Sequence, residues 1–154
     1  MKYWLMKSEP SAYGILDLKR DRTTSWGGVR NYQVRNMFRD EFAAGDLAFF
    51  YHSSCPEPGI VGTMSVVGEA YPDPTQFDPE SGYFDPKSRT EAPTWLAVDV
   101  RFIKQFGRPI GLETLRQLPG LERMPVLRRG NRLSVTPVSE GEAHLILELA
   151  DAAG

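Results

Sequence analysis

The chain has 154 residues, 41% of them hydrophobic and 25% charged, the balance of a soluble globular protein and the length of one domain. Its formal net charge of −2 argues against indiscriminate nucleic-acid binding, no stretch approaches the ~18 apolar residues that span a bilayer, and the first residues lack the basic-then-apolar pattern of an export signal. The lone cysteine, Cys55, excludes an internal disulfide and fits a reducing setting, so a cytoplasmic location is expected, nucleoid-associated in a bacterium.

Tyr3 to Met6 reads as a short buried strand, and Ser11 as the cap of a helix that runs through Leu18. Residues 21–29, rich in Thr, Ser and Gly, read as a loop. Asn31 is a plausible N-cap for the helix that follows. Val34, Met37, Phe38 and Phe42 keep helical spacing toward the core, which leaves Tyr32, Arg35, Asn36 and Arg39 on the opposite face. Gly45-Asp46 ends that helix.

Leu47–His52 and Ile60–Val67 read as strands, with Gly59 and Gly62 admitting close backbone approach. Residues 72–93 form a long loop dense in Pro, Asp, Gly and Ser; such loops are usually functional or mobile. Trp95 to Ile103 reads as a strand with Leu96, Val98, Val100 and Phe102 on one side, Leu112 to Leu118 as a short helix, and Leu133 to Val138 as a last strand. Ser139-Glu140-Gly141-Glu142 is a capping box that opens a terminal helix to about Ala150. Strands and short helices interleave, so the expected class is α+β, with a curled, barrel-like sheet of five or six strands in mixed order, flanked by short helices.

The charge is unevenly placed. Lys19 to Arg39 holds six basic residues and one acid, Arg116 to Arg132 five and one, and Glu57 to Asp99 eight acids and two bases. Two basic segments can make one basic face, or simply a solvated surface.

Trp26 lies beside Gly27 and Gly28 in a polar loop, unlike Trp4 in its apolar run. It is either a platform on which a flat ligand stacks, with the glycines leaving room for the approach, or a packing residue. Arg30, Arg35 and Arg39 are suited to phosphates; Asn31 suits either a base edge or the helix cap. Lys7-Ser8-Glu9-Pro10 follows the first strand and is either a pocket rim, where Glu9 accepts from an exocyclic amino group, or a turn held by Ser8 and Pro10. His52 and Cys55 lack an identifiable activating partner, so no catalytic pair is assigned. Trp95 is either a pocket wall or core. With only His52 and His144 beside Cys55, no zinc cluster is expected. The whole set suits a nucleobase next to a phosphate.

These residues carry a resemblance. Tyr3–Pro10, Trp26–Asn36, Gly45–Ser53, Gly59–Gly62, Ala70–Asp78, Tyr83–Ser88, Val98–Val100 and Leu133–Val138 run in order over nearly the whole chain and resemble the EVE domain family, that of the thymocyte nuclear proteins. The resemblance implies one domain over residues 1–154 with a PUA-like fold, a small curled β-barrel flanked by helices. It also implies kinship with YTH domains, which read methylated adenine through an aromatic cage; Lys7-Ser8 resembles the start of that pocket and Trp26 a cage tryptophan.

The function so implied is a non-catalytic reader that inserts a modified base, a modified cytosine in DNA or a modified base in RNA, without a cofactor. The expected base pocket is Lys7, Ser8, Glu9, Trp26, Val29, Asn31, His52, Ser53 and Trp95, with Arg30, Arg35 and Arg39 on phosphate. A monomer is expected, and any effector is expected to be a separate protein. Replacing Trp26 by Ala is expected to cut base binding and leave the fold intact. The resemblance leads to an expectation of aspartate where Gly27 stands and of alanine where Val34 stands, two departures from it. Two other readings exist. In the first, Lys7 and Glu9 with Thr63 or Thr24 resemble the lysine, glutamate and threonine of ASCH-type hydrolases of modified nucleosides. In the second, Trp26 anchors a protein partner.

Overall fold

The computed structural model describes residues 1–152. Its elements are β1 (Tyr3–Ser8), α1 (Ile15–Asp21), β2 (Thr23–Trp26), α2 (Tyr32–Asp40), β3 (Leu47–His52), β4 (Gly59–Pro72), β5 (Leu96–Gly111), α3 (Leu112–Gln117), β6 (Val135–Val138) and α4 (Glu140–Ala152). Short 3₁₀ turns cover Pro74–Phe77 and Pro125–Leu127. The six strands form one mixed sheet in the order β2-β5-β4-β3-β1-β6. β1 and β3 are parallel, and the other neighbours are antiparallel. The ladder is linear and does not close, and both its edges are four-residue strands. Register breaks in β3, β4 and β5 bend and twist the long strands.

Both faces of the sheet are buried. Trp4, Met6, Ala48 and Phe50 face Ile15 and Leu18 of α1 and Val34, Met37 and Phe38 of α2. Leu5, Phe49 and Tyr51 face Leu115 of α3 and Ala143, Ile146 and Ala150 of α4. This two-sided burial explains why β1 and β3 read as continuous apolar runs rather than alternating ones. β5 contributes Val98 and Val100 to the first core, then Phe106 and Ile110 to the second.

Local signals placed several elements correctly. Asn31 caps α2 by accepting from the Val34 amide at 3.0 Å. Ser139 and Glu142 exchange the two bonds of the capping box at 2.9 and 3.2 Å. Other expectations need correction. Ser11 caps nothing: α1 starts after Gly14, and its first amide, on Ile15, is taken by His52 Nε2 at 3.1 Å. Residues 23–26 form an edge strand on β5 rather than a loop. β4 and β5 run well past their expected ends, because each continues to pair with the other. No helix among the described residues is long and apolar enough to cross a membrane.

Candidate nucleic-acid interface

A cleft of about 680 Å³ opens where the end of β1, the end of β2 and the start of α2 converge. That volume lies within the usual ligand-pocket range, roughly 300–1,000 Å³. Lys7, Ser8, Glu9, Trp26, Val29, Arg30 and Asn31 line it, so seven of the expected site residues converge from two distant stretches of sequence. Thr24, expected only under the hydrolase reading, also lines it, as do Tyr13, Tyr83, Arg132 and Ser134, none of which was expected.

Trp26 combines the two roles that sequence left open. Only 8% of it is exposed, and it packs edge-on against Phe50 at 5.4 Å within the first core, while still forming cleft wall. Truncating such a side chain costs about 3–5 kcal/mol. Trp26→Ala is therefore expected to weaken the fold as well as the site, which corrects the expectation of an intact fold.

Asn31 also combines two roles. The cap engages only Oδ1, so the amide NH₂ of a side chain that lines the cleft is left for a ligand. Ser8 Oγ donates to the Tyr13 carbonyl at 2.6 Å and so holds the turn after β1. Burial pushes the Lys7 ammonium below its ordinary pKa. Neither Lys7 nor Arg132 enters an ion pair among the described residues, so both cations face the cleft uncompensated.

Arg30 does not meet the phosphate role. Its Nε and one Nη donate to the Tyr83 carbonyl at 3.1 and 2.7 Å. The remaining donors reach the Val29 carbonyl, Asp73 Oδ2 and Thr75 Oγ1 at 3.2, 3.0 and 3.1 Å. Those bonds use all five guanidinium N–H groups. Asp73, 1% exposed, also accepts from the Gly28 amide at 2.7 Å and from the Thr75 amide and hydroxyl at 2.9 and 2.7 Å. Burial pushes the Asp73 carboxyl up, but hydrogen bonds from Gly28, Thr75 and Arg30 outweigh it, and its pKa falls below the ordinary value.

The other expected residues lie elsewhere. Arg35 and Arg39 line a separate groove with Phe38, Phe42 and Leu96. Arg35 is tied to Asn36 Oδ1 and the Thr94 carbonyl, and Arg39 to Asp40. His52 and Ser53 do not line the cleft: His52 serves α1, and the Ser53 amide extends the β1–β3 pairing by donating to the Ser8 carbonyl at 3.0 Å. Trp95 does not line the cleft: it is buried, its Nε1 donates to Asp85 at 2.8 Å and its ring contacts Tyr32. Among the described residues no three His, Cys, Asp or Glu side chains are grouped to hold a metal.

The long loop is fastened by a side chain that the sequence did not single out. Gln76 is fully buried; its Nε2 donates to the carbonyls of Asp73 and Trp95, and its Oε1 accepts from the amides of Thr94 and Trp95. All four hydrogen-bonding positions of the amide are thereby filled, and the loop's two ends are pinned together.

A family model described as EVE domain matches residues 2–149. Mouse thymocyte nuclear protein 1 is 44% identical, the match covering 97% of this chain and 74% of that protein. Among solved structures, a Pseudomonas syringae protein superposes with a TM-score of 0.92 at 51% identity, covering 96% of this chain and 99% of its own. Human THYN1 protein, solved in complex with 5-methylcytosine-containing DNA, superposes with a TM-score of 0.89 at 42% identity, covering 98% of each chain. An ASCH protein from Zymomonas mobilis shares the fold alone, with a TM-score of 0.59 at 14% identity over 97% of this chain and 99% of its own.

Proposed function

The chain belongs to the EVE domain family, and we propose that it reads a modified cytosine in DNA by taking the base into the Trp26 cleft, without catalysing a reaction on it. The observation that carries this reading is the cleft itself: an aromatic wall at Trp26, a glycine pair beside it, a free amide on Asn31 and two uncompensated cations, Lys7 and Arg132. The fold it sits in is the one that human THYN1 protein presents to methylated DNA.

A base enters such a cleft only after leaving its stack, which costs a few kcal/mol and favours a mismatched, modified or single-stranded base. Trp26 supplies the surface against which it rests. Lys7 and Asn31 offer donors to its edge. Arg132 replaces Arg30 as the cation available to phosphate, since Arg30 has no donor left. One methyl group in an apolar pocket is worth ~1–3 kcal/mol, which bounds the preference at roughly 10–200-fold.

Fluorescence anisotropy at one fixed salt tests this with labelled DNA and RNA strands carrying cytosine, 5-methylcytosine, 5-hydroxymethylcytosine or methyladenine. A preference for a modified cytosine within that range is the expected result. Uniformly weak, salt-sensitive binding to every strand overturns the reading, because only phosphate is then being touched.

A second reading has one observation in its favour. Lys7, Glu9 and Thr24 line the same cleft, whereas Thr63 is buried in β4. Turnover of an acylated cytidine would replace the reader with a hydrolase.

A further inference from the structure

Tyr83 sits in the long loop between β4 and β5, far in sequence from everything else in the cleft, yet it lines that cleft. It is 52% exposed, and among the described residues it pairs with no other aromatic ring. Its position is nonetheless fixed. Its carbonyl takes two of the five Arg30 donors, and the same guanidinium lies 5.6 Å from its ring centroid. The ring is laid directly over Gly28: a Cβ there would come within 2.8 Å of the tyrosine Cζ. Gly28 also has φ +74°, a conformation that glycine adopts without cost. The Gly28 amide and Arg30 share one buried anchor, Asp73. The glycine turn, the arginine and the tyrosine loop are thus one fastened unit, and its exposed product is an aromatic ring at the cleft.

We propose that Tyr83 is the second aromatic wall of the base site, which receives one face of a modified pyrimidine whose other face rests on Trp26. This rests on the base-reader reading of the cleft. Arg30 is a positioning residue in this arrangement: it sets the wall and leaves phosphate to Arg132. Trp95, which the sequence left as either pocket wall or core, does not line the cleft, whereas Tyr83 does. A half-exposed ring with no aromatic partner among the described residues is suited to this, because a base can stack on it without displacing another ring.

The test compares wild type, Tyr83→Ala, Tyr83→Phe and Gly28→Ala for binding to a 5-methylcytosine strand and its unmethylated counterpart. Thermal unfolding confirms that each variant is folded. Tyr83→Ala is expected to bind the methylated strand about 5- to 150-fold more weakly, the range set by stacking on one aromatic. Tyr83→Phe keeps the ring and is expected to stay within about twofold of wild type. Gly28→Ala, which pushes the ring aside, is expected to fall with Tyr83→Ala. Unchanged affinity in Tyr83→Ala, in a wild-type protein that does distinguish the strands, overturns the proposal alone. A wild-type protein that does not distinguish them overturns the base-reader reading, and the proposal with it.

Discussion

Five N–H donors on one guanidinium decide what Arg30 does, and the geometry of its partners gives the size of the effect. Asp73→Ala would leave that half-buried cation and the Gly28 amide without their shared acceptor. Breaking a buried pair from one side costs about 3–5 kcal/mol; because Arg30 keeps some solvent contact, a loss near 3 kcal/mol is expected in urea unfolding. Asp73 also has an acid signature. Its folded pKa is depressed below 3.8, so its contribution is complete above that value and is lost as pH falls through the folded pKa. His52 has a separate one. Burial lowers its pKa from 6.5, and its neutral Nε2 accepts from Ile15. The unfolded chain therefore binds the proton more readily, and stability is expected to drop as pH falls below about 6.5. His52→Gln should flatten that part of the curve; a wild-type midpoint that is constant between about pH 7.5 and 5 would show that His52 does not act this way.

At the scale of elements, the site depends on strands held unusually close. Gly62 in β4 faces β5, and a Cβ there would lie against the Lys104 carbonyl oxygen and within 2.9 Å of Ile15 Cδ1. Gly62→Ala would force β4 from β5 or α1 from the sheet, and overpacking of this kind costs about 1–3 kcal/mol. A thermal midpoint within a degree of wild type would mean that the sheet can absorb the methyl group. α2 shows the same economy. Its apolar face, Val34, Met37 and Phe38, seats it on the first core, and the Asn31 cap then fixes which residues its first turn brings to the cleft. Val34, where the resemblance led to an expectation of alanine, is wholly buried in the first core.

For the whole molecule, one open sheet with two cores leaves the candidate cleft at strand ends, where the ends of β1 and β2 meet the start of α2. Lys7, Ser8, Thr24 and Trp26 come to the cleft from strands, Arg132 from the segment before β6, and Tyr83 from the loop between β4 and β5. That loop is itself fastened by Gln76, Arg30 and Asp85. Arg35 and Arg39 line a groove separate from the cleft that Arg30 lines, so the basic run seen in the sequence is divided between two surfaces.

What the sequence determined by itself was whatever short-range pattern specifies. β1 and β3 show as short apolar runs, and α2 with its cap and α4 with its capping box show as patterns between residues a few positions apart. The family resemblance and the first cleft residues, Lys7 to Glu9 and Trp26 to Asn31, were legible because each set is contiguous. What only the tertiary structure decided were the partners. Asp73 meets Gly28 and Arg30 across more than forty residues, Gln76 meets Trp95 across nineteen, and Tyr83, Arg132 and Ser134 reach the cleft from the second half of the chain while the rest of its lining comes from the first. β2 stayed hidden because Thr23 to Trp26 lack an apolar alternation, and only hydrogen bonds to β5 make them a strand. Periodicity records which face of an element is buried; which charge is consumed and which is left for a ligand depends on groups that chain folding alone brings within bonding distance.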